Sequence, residues 1–196
     1  GSVLAGNGQD IAVTGGTVTF NAAASFTPGT ANFTTTNTVT INSNGASFNS
    51  LTNMGTTEAT DALLVAVNFS QGTGGNLIAR NNVGVTGSFT QDAGTITLLG
   101  TTSVTGATAI NTGTLAIQGT GGSSFGNTTE IGVTTAAATI NVNSETTFTG
   151  AVGVRATGTG ALNLMARTTF GAGMTVENTA AFTAQANAFT VVFNAG

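Results

Sequence analysis

Cysteine, histidine, lysine, tryptophan and tyrosine are all missing from this 196-residue sequence, and proline occurs once. Without cysteine there is no disulfide framework and no thiolate nucleophile, and without histidine the commonest metal ligand and general base is gone. With no lysine, three arginines (Arg80, Arg155 and Arg167) stand against seven carboxylates, for a formal net charge of −4. No basic surface can form to neutralise phosphates, so nucleic acid is not expected as a partner. Anionic membrane surfaces are disfavoured on the same ground, because no polybasic or amphipathic helical segment is present. No apolar run approaches the roughly 20 residues that span a bilayer as a helix, so this segment is not expected to insert into membranes. The first residues lack the charged-then-apolar pattern of an export leader, and the chain reads as mature or excised.

Charged residues make up only 5% of the chain, while 40% is hydrophobic. The apolar share excludes a disordered tail, and so small a charged share requires a surface built from uncharged polar groups. Thr, Asn, Ser and Gly supply them. Steps such as Thr17-Val-Thr19 and Thr38-Val-Thr40 favour strands over helices, because β-branched side chains fit a pleated surface.

A fixed period is the most informative feature such a sequence can carry. Phe26, Phe48, Phe69 and Phe89 follow at intervals of 22, 21 and 20, and Phe125, Phe148, Phe170 and Phe189 at 23, 22 and 19, with Val104 between the two series. Apolar-x-apolar steps of β period accompany these markers in nine units: Val18–Phe20, Val39–Ile41, Val65–Val67, Val83–Val85, Ile96–Leu98, Leu115–Ile117, Ile140–Val142, Leu162–Leu164 and Phe182–Ala184. Several units add a further step, as in Ile131-Gly-Val133, Val152-Gly-Val154 and Met174-Thr-Val176. Short strands separated by Gly, Asn and Ser fit the coils of an all-β, right-handed parallel β-helix about 40 Å long, with equivalent strands stacked at about 4.8 Å. The markers Phe26, Phe48, Phe69, Phe89, Val104, Phe125, Phe148, Phe170 and Phe189 are expected to form one internal ladder. A left-handed hexapeptide helix would repeat at about 18 residues without drift, and a β-sandwich, the alternative fold, explains the strands but not the phenylalanine spacing. Residues 1–196 read as a single solenoid segment of a longer repeat protein. No polar cap is legible after Phe193, so the native chain is expected to continue past Gly196. Thr56–Leu64 departs from the pattern and is expected to be a polar loop, with a short capped helix as the alternative.

The best-matched units, Ile140–Phe148 and Leu162–Phe170, are offset by 22 throughout. That register sets Glu145 beneath Arg167 and Arg155 beneath Glu177, two charge pairs in opposite order. Other carboxylates give no grouping for chemistry. Hydrolysis of a glycosidic bond needs two carboxyl groups about 5–10 Å apart, and the only close pair, Glu58 and Asp61, has no Arg or His nearby in sequence. Serines lack a histidine partner, no Gly-x-Ser-x-Gly elbow occurs, and the Gly72–Gly75 and Gly119–Gly122 stretches lack the lysine of a phosphate loop and read as turns. Ala5–Ala12 partly matches a calcium-binding nonapeptide through Asp10, but such sites are completed by tandem copies and one imperfect copy is present. No catalytic residue, metal site or cofactor is therefore expected. Sequons at Asn32, Asn68 and Asn127 are what this Asn and Thr content produces by accident. Thr-x-Thr steps at Thr17/Thr19, Thr38/Thr40 and Thr95/Thr97 suggest an ice- or mineral-binding array, yet equivalent positions elsewhere hold Asn, Ala or Leu, so no continuous threonine face is expected.

The Gly–Thr-rich coils, particularly Thr101–Ile117 and Thr147–Val154, resemble passenger regions of bacterial autotransporters, above all the large rickettsial outer-membrane surface antigens. The resemblance implies export through the outer membrane by a C-terminal β-barrel outside this segment, and a role in adhesion or in a surface layer. The expected function is a non-enzymatic structural or adhesive segment at the bacterial cell surface, meeting a molecule on a host or neighbouring cell. Alternatives are a filament or surface-layer subunit that associates with itself end to end, and a carbohydrate-active or phage tailspike-like β-helix.

Overall fold

The computed structural model describes residues 3–4, 10–20, 25–26, 32–42, 46–177, 179–184 and 191–193. It is all-β, a right-handed parallel β-helix of about eight turns with no helix among the described residues. Each coil contributes strands to three faces. Face A is a nine-stranded sheet running from Thr17–Phe20 to Ala181–Ala184, while faces B and C are the two strand columns of a 15-stranded sheet. In one coil, Thr95–Leu98 lies on face A, Thr102–Val104 on face B and Thr108–Ile110 on face C. The columns merge where Ala46–Asn53 and Leu63–Gln71 run as single long strands across both faces, with a bulge between Phe48 and Ser50.

The alternation of the sequence sets which side chains go inside. In Thr95–Leu98, Ile96 and Leu98 are fully buried while Thr95 and Thr97 face out. Stacking the coils turns those positions into ladders, such as Val39, Thr57, Leu77, Ile96, Leu115, Ile140 and Leu162 along face A. One continuous hydrophobic core runs through the described residues.

The phenylalanines do not form a single ladder. Phe33, Leu51, Phe69, Phe89, Thr108, Thr129, Val152 and Met174 are in register on face C. Phe48, Val65, Val85, Val104, Phe125, Phe148, Phe170 and Phe193 are in register on face B. Phe26 sits opposite Leu4 in a separate two-stranded sheet, and Phe189 lies outside the described residues. From Phe48 to Phe170, each coil holds either one ring or none: Phe48 beside Leu51, Phe69 beside Val65, Phe89 beside Val85, then Phe125, Phe148 and Phe170 beside Thr129, Val152 and Met174. The coil of Val104 and Thr108 has neither. The physical reason is volume, since an interior of fixed cross-section at close-packed density accommodates one ring per coil. Phe33 and Phe48 belong to different ladders, yet their ring centroids are 5.1 Å apart, so both ladders feed one central space. Within each ladder the rings stack: Phe69 on Phe89 at 4.8 Å, Phe125 on Phe148 at 5.3 Å and Phe148 on Phe170 at 5.5 Å. Each such pair contributes about 0.5–1.5 kcal/mol beyond burial.

Three further expectations are corrected by the register. Thr56–Ala59 is neither loop nor helix but a face A strand between Thr38–Ile41 and Asn76–Ala79, with Thr57 and Ala59 inward. Its period-2 burial outweighs the helix-forming residues that follow. Val65–Val67 and Val83–Val85 consequently belong to face B rather than the series of Ile96–Leu98. The strand near Ile131 is Thr129–Ile131, which leaves Val133 exposed.

Buried polar groups continue the face C ladders. Thr35, Asn53, Gln71 and Gln91 stack with no exposure. Asn53 Nδ2 donates to Gln71 Oε1 at 3.2 Å, and Gln71 Nε2 donates to the carbonyls of Gly75, Ala93 and Thr95. These amides satisfy backbone carbonyls at the corner from face C to face A, where an orphan would cost about 1–3 kcal/mol. At the same corner Gly94 has φ +72°, and a Cβ there would overlap the Gly75 carbonyl of the coil below. Only glycine allows both the left-handed turn and that close approach.

Candidate functional site

All three arginines are engaged by carboxylates one coil away. On face A, Glu58 faces Ile78 of the next strand, and Arg80 reaches back along the strand to pair with Glu58. The expectation that Glu58 lacks a nearby arginine is therefore wrong. Two residues of side-chain reach separate the charges in sequence from their backbone register. Arg167 Nη1 lies 3.1 Å from Glu145 Oε1, and Arg155 Nη1 lies 3.0 Å from Glu177 Oε1.

Arg155 also holds a partner that sequence reasoning missed. Its Nη2 donates to Glu130 Oε1 at 2.7 Å while Nε pairs with the second oxygen, a bidentate fork. Glu130 stands opposite Gly153, and a Cβ on Gly153 would crowd both the Glu130 carboxylate and Arg155. The glycine thus opens the space in which the fork closes, and the signal in the sequence was a carboxylate, Glu130, one rung below a glycine, Gly153, in the same outward column. Hydrogen bonds to Glu130, then to Glu177, push the Arg155 guanidinium above its already high range. The N–H of Ala156 donates to Glu177 Oε2 at 2.8 Å, and that bond, followed by Arg155, lowers the Glu177 carboxyl below its ordinary value.

The aspartates sit at corners, each beside an asparagine one coil on. Asp10 accepts from Asn32, Asp61 from Asn81 and Asp92 from Asn111. Asp61 also accepts the Ala62 N–H, so Glu58 and Asp61 are each occupied separately. Among the described residues no group of three or more acidic, histidine or cysteine side chains is placed to hold a metal ion.

Face A presents two outward columns, with Glu58 the one carboxylate among the described residues of its strands. The register aligns Thr17, Thr38, Thr56, Asn76, Thr95, Thr114, Thr139, Ala161 and Ala181 in the first column. The expectation that the threonine face is broken by Asn and Ala holds, since Asn76, Ala161 and Ala181 interrupt this column, but the run from Thr95 to Thr139 is longer than the Thr-x-Thr steps alone indicate. Between Thr38 and Thr95 the rungs are held by Thr56 and Asn76, and the Ala66 and Gly84 steps lie on face B instead. The hydroxyls of these six threonines bond to no other described residue, while corner hydroxyls such as those of Thr35, Thr112 and Thr134 donate to backbone carbonyls. The second column reads Thr19, Thr40, Glu58, Ile78, Thr97, Ala116, Asn141 and Asn163.

Face B carries a shallow concavity of about 310 Å³ bordered by Ser47, Leu64, Ala66, Gly84, Ser103 and Thr105. It forms because the outward residue above Leu64 is Gly84, against which the half-exposed Leu64 leans. No titratable group lines it. No protein-family model matches the chain, and comparison with curated proteins and with solved structures gives no match.

Proposed function

We propose that the chain is a non-enzymatic structural and adhesive rod segment at the bacterial cell surface, of the autotransporter-passenger type. What carries the reading is the division of labour across the wall of the helix. Every long apolar ladder points in, and the outside is mostly short and polar with few charges, each arginine being paired with a carboxylate. Catalysis needs a positioned acid, base or nucleophile free to act, and no such constellation stands among the described residues. A rigid rod with hydroxyl-bearing faces serves instead to give length and to present contact surface. The resemblance of the Gly–Thr coils to autotransporter passengers fits this role. Saturable binding of the fluorescently labelled chain to host or bacterial cells tests it. Binding that is absent from every cell type removes the adhesive half of the reading, and turnover of any polysaccharide removes the non-enzymatic half.

A further inference from the structure

We propose that the threonine column of face A is an ice-binding surface. Seven consecutive rungs of its first column, from Thr17 through Thr38, Thr56, Asn76, Thr95 and Thr114 to Thr139, hold threonine but for Asn76, before Ala161 and Ala181 end the run. Parallel stacking fixes the rung repeat at about 4.8 Å, and the pleat puts the second column two residues further along each strand. The face is therefore a two-dimensional lattice, with further threonines at Thr19, Thr40, Thr97 and Thr183 in the second column.

Three properties point to ordered water as the occupant. First, the column hydroxyls make no bond within the described protein, so each is available to a lattice water, while the threonine methyl beside it orders water without competing for hydrogen bonds. Second, the face carries almost no free charge, and its one carboxylate, Glu58, is paired with Arg80. Isolated charges would organise water radially and break the lattice. Third, the partner must itself repeat, because the first column offers a hydroxyl on six of the seven successive rungs from Thr17 to Thr139 and no unique pocket. A polysaccharide also repeats, but sugar rings dock by stacking on aromatic side chains. Face A has none in an outward position, since the sequence lacks Trp and Tyr and Phe182 continues the inward Leu162 ladder. Apart from Glu58, the interruptions in both columns are uncharged, and the exposed Ile78 adds a methyl surface of its own.

The test is thermal hysteresis and ice-crystal shaping by the purified chain, with the double variant Thr95→Lys/Thr114→Lys and, as a control on another face, Thr90→Lys. Circular-dichroism melts of all three check that the fold is retained. The expected result is a hysteresis gap and faceted crystals for the wild type and Thr90→Lys, with the double variant reduced to the level of a non-binding protein at equal concentration. If Thr95→Lys/Thr114→Lys unfolds, Thr95→Val/Thr114→Ser supplies the comparison, and a reduced gap with faceting retained is expected. The proposal is overturned if the wild type leaves ice growth unaltered, if the face A variants lose nothing, or if the same face retains the chain on crystalline cellulose while ice is unaffected.

Discussion

Adding one phenylalanine at two equivalent rungs distinguishes a shared central space from two independent ladders. Val85 and Val104 are neighbours in the face B ladder, chemically identical and both buried. Val85 shares its coil with Phe89, whereas Val104 shares its coil with Thr108, the ring-free cross-section. Val85→Phe forces two rings into one coil, and such overpacking costs about 1–3 kcal/mol. Val104→Phe fills the one ring-free coil and places a ring beneath Phe125, where stacking contributes about 0.5–1.5 kcal/mol that offsets the smaller repacking cost. Urea unfolding followed by far-ultraviolet circular dichroism reads both, a necessary choice because the chain has no Trp or Tyr for fluorescence. The expected outcome is a clearly lowered midpoint for Val85→Phe and a near-unchanged or raised one for Val104→Phe. Equal destabilisation at the two rungs refutes the one-ring-per-coil argument.

The Thr108 hydroxyl is buried without a partner, as is that of Thr129. Thr108→Val is isosteric and removes the orphan, so it is expected to stabilise by about 1 kcal/mol in the same unfolding assay. Gly94→Ala meets both a left-handed φ and the Gly75 carbonyl and is expected to lower the melting temperature strongly, whereas Gly122→Ala, which faces open space, is expected to leave it unchanged. Because the folded Glu177 carboxyl lies below its ordinary value, its stabilising contribution is complete above the unfolded pKa and is lost as pH falls through the lowered folded one. Glu177→Gln is therefore expected to lower the urea midpoint at neutral pH and to narrow its difference from wild type at about pH 3. Equal differences at both pH values would remove Glu177 from the acid response.

The architecture was legible because three signals agreed: β-period alternation, a repeat near the length of a coil, and turns rich in Gly and Asn. The assignment of rungs was not. A step of 15 from Phe89 to Val104, set against 20 or 21 on either side, was the visible trace of the ladder changing faces, and a purely periodic reading passes over it. Coil length also varies with the corners, from 17 residues between Phe48 and Val65 to 25 between Gly113 and Ala138, so no constant offset aligns all rungs. Locally, Thr57 and Ala59 are weak markers of an inward face beside Ile96 and Leu98, which hid the Thr56–Ala59 strand. The Glu145–Arg167 and Arg155–Glu177 pairs could be read because that part of the chain keeps an offset of 22. Glu130 joins Arg155 across 25 residues, through a longer corner and an opening left by Gly153.

Distances along face A test the stacked-rod account most directly. The chain has no cysteine, so pairs of spin labels can be placed without background. Thr40, Thr97, Asn141 and Asn163 are outward residues of one column on rungs joined in unbroken register. With one label fixed at Thr40, the separations are expected to grow linearly at about 4.8 Å per rung, reaching about 24 Å at Asn141 and about 29 Å at Asn163. Separations that fail to increase in that order, as packed antiparallel sheets would give, contradict the account.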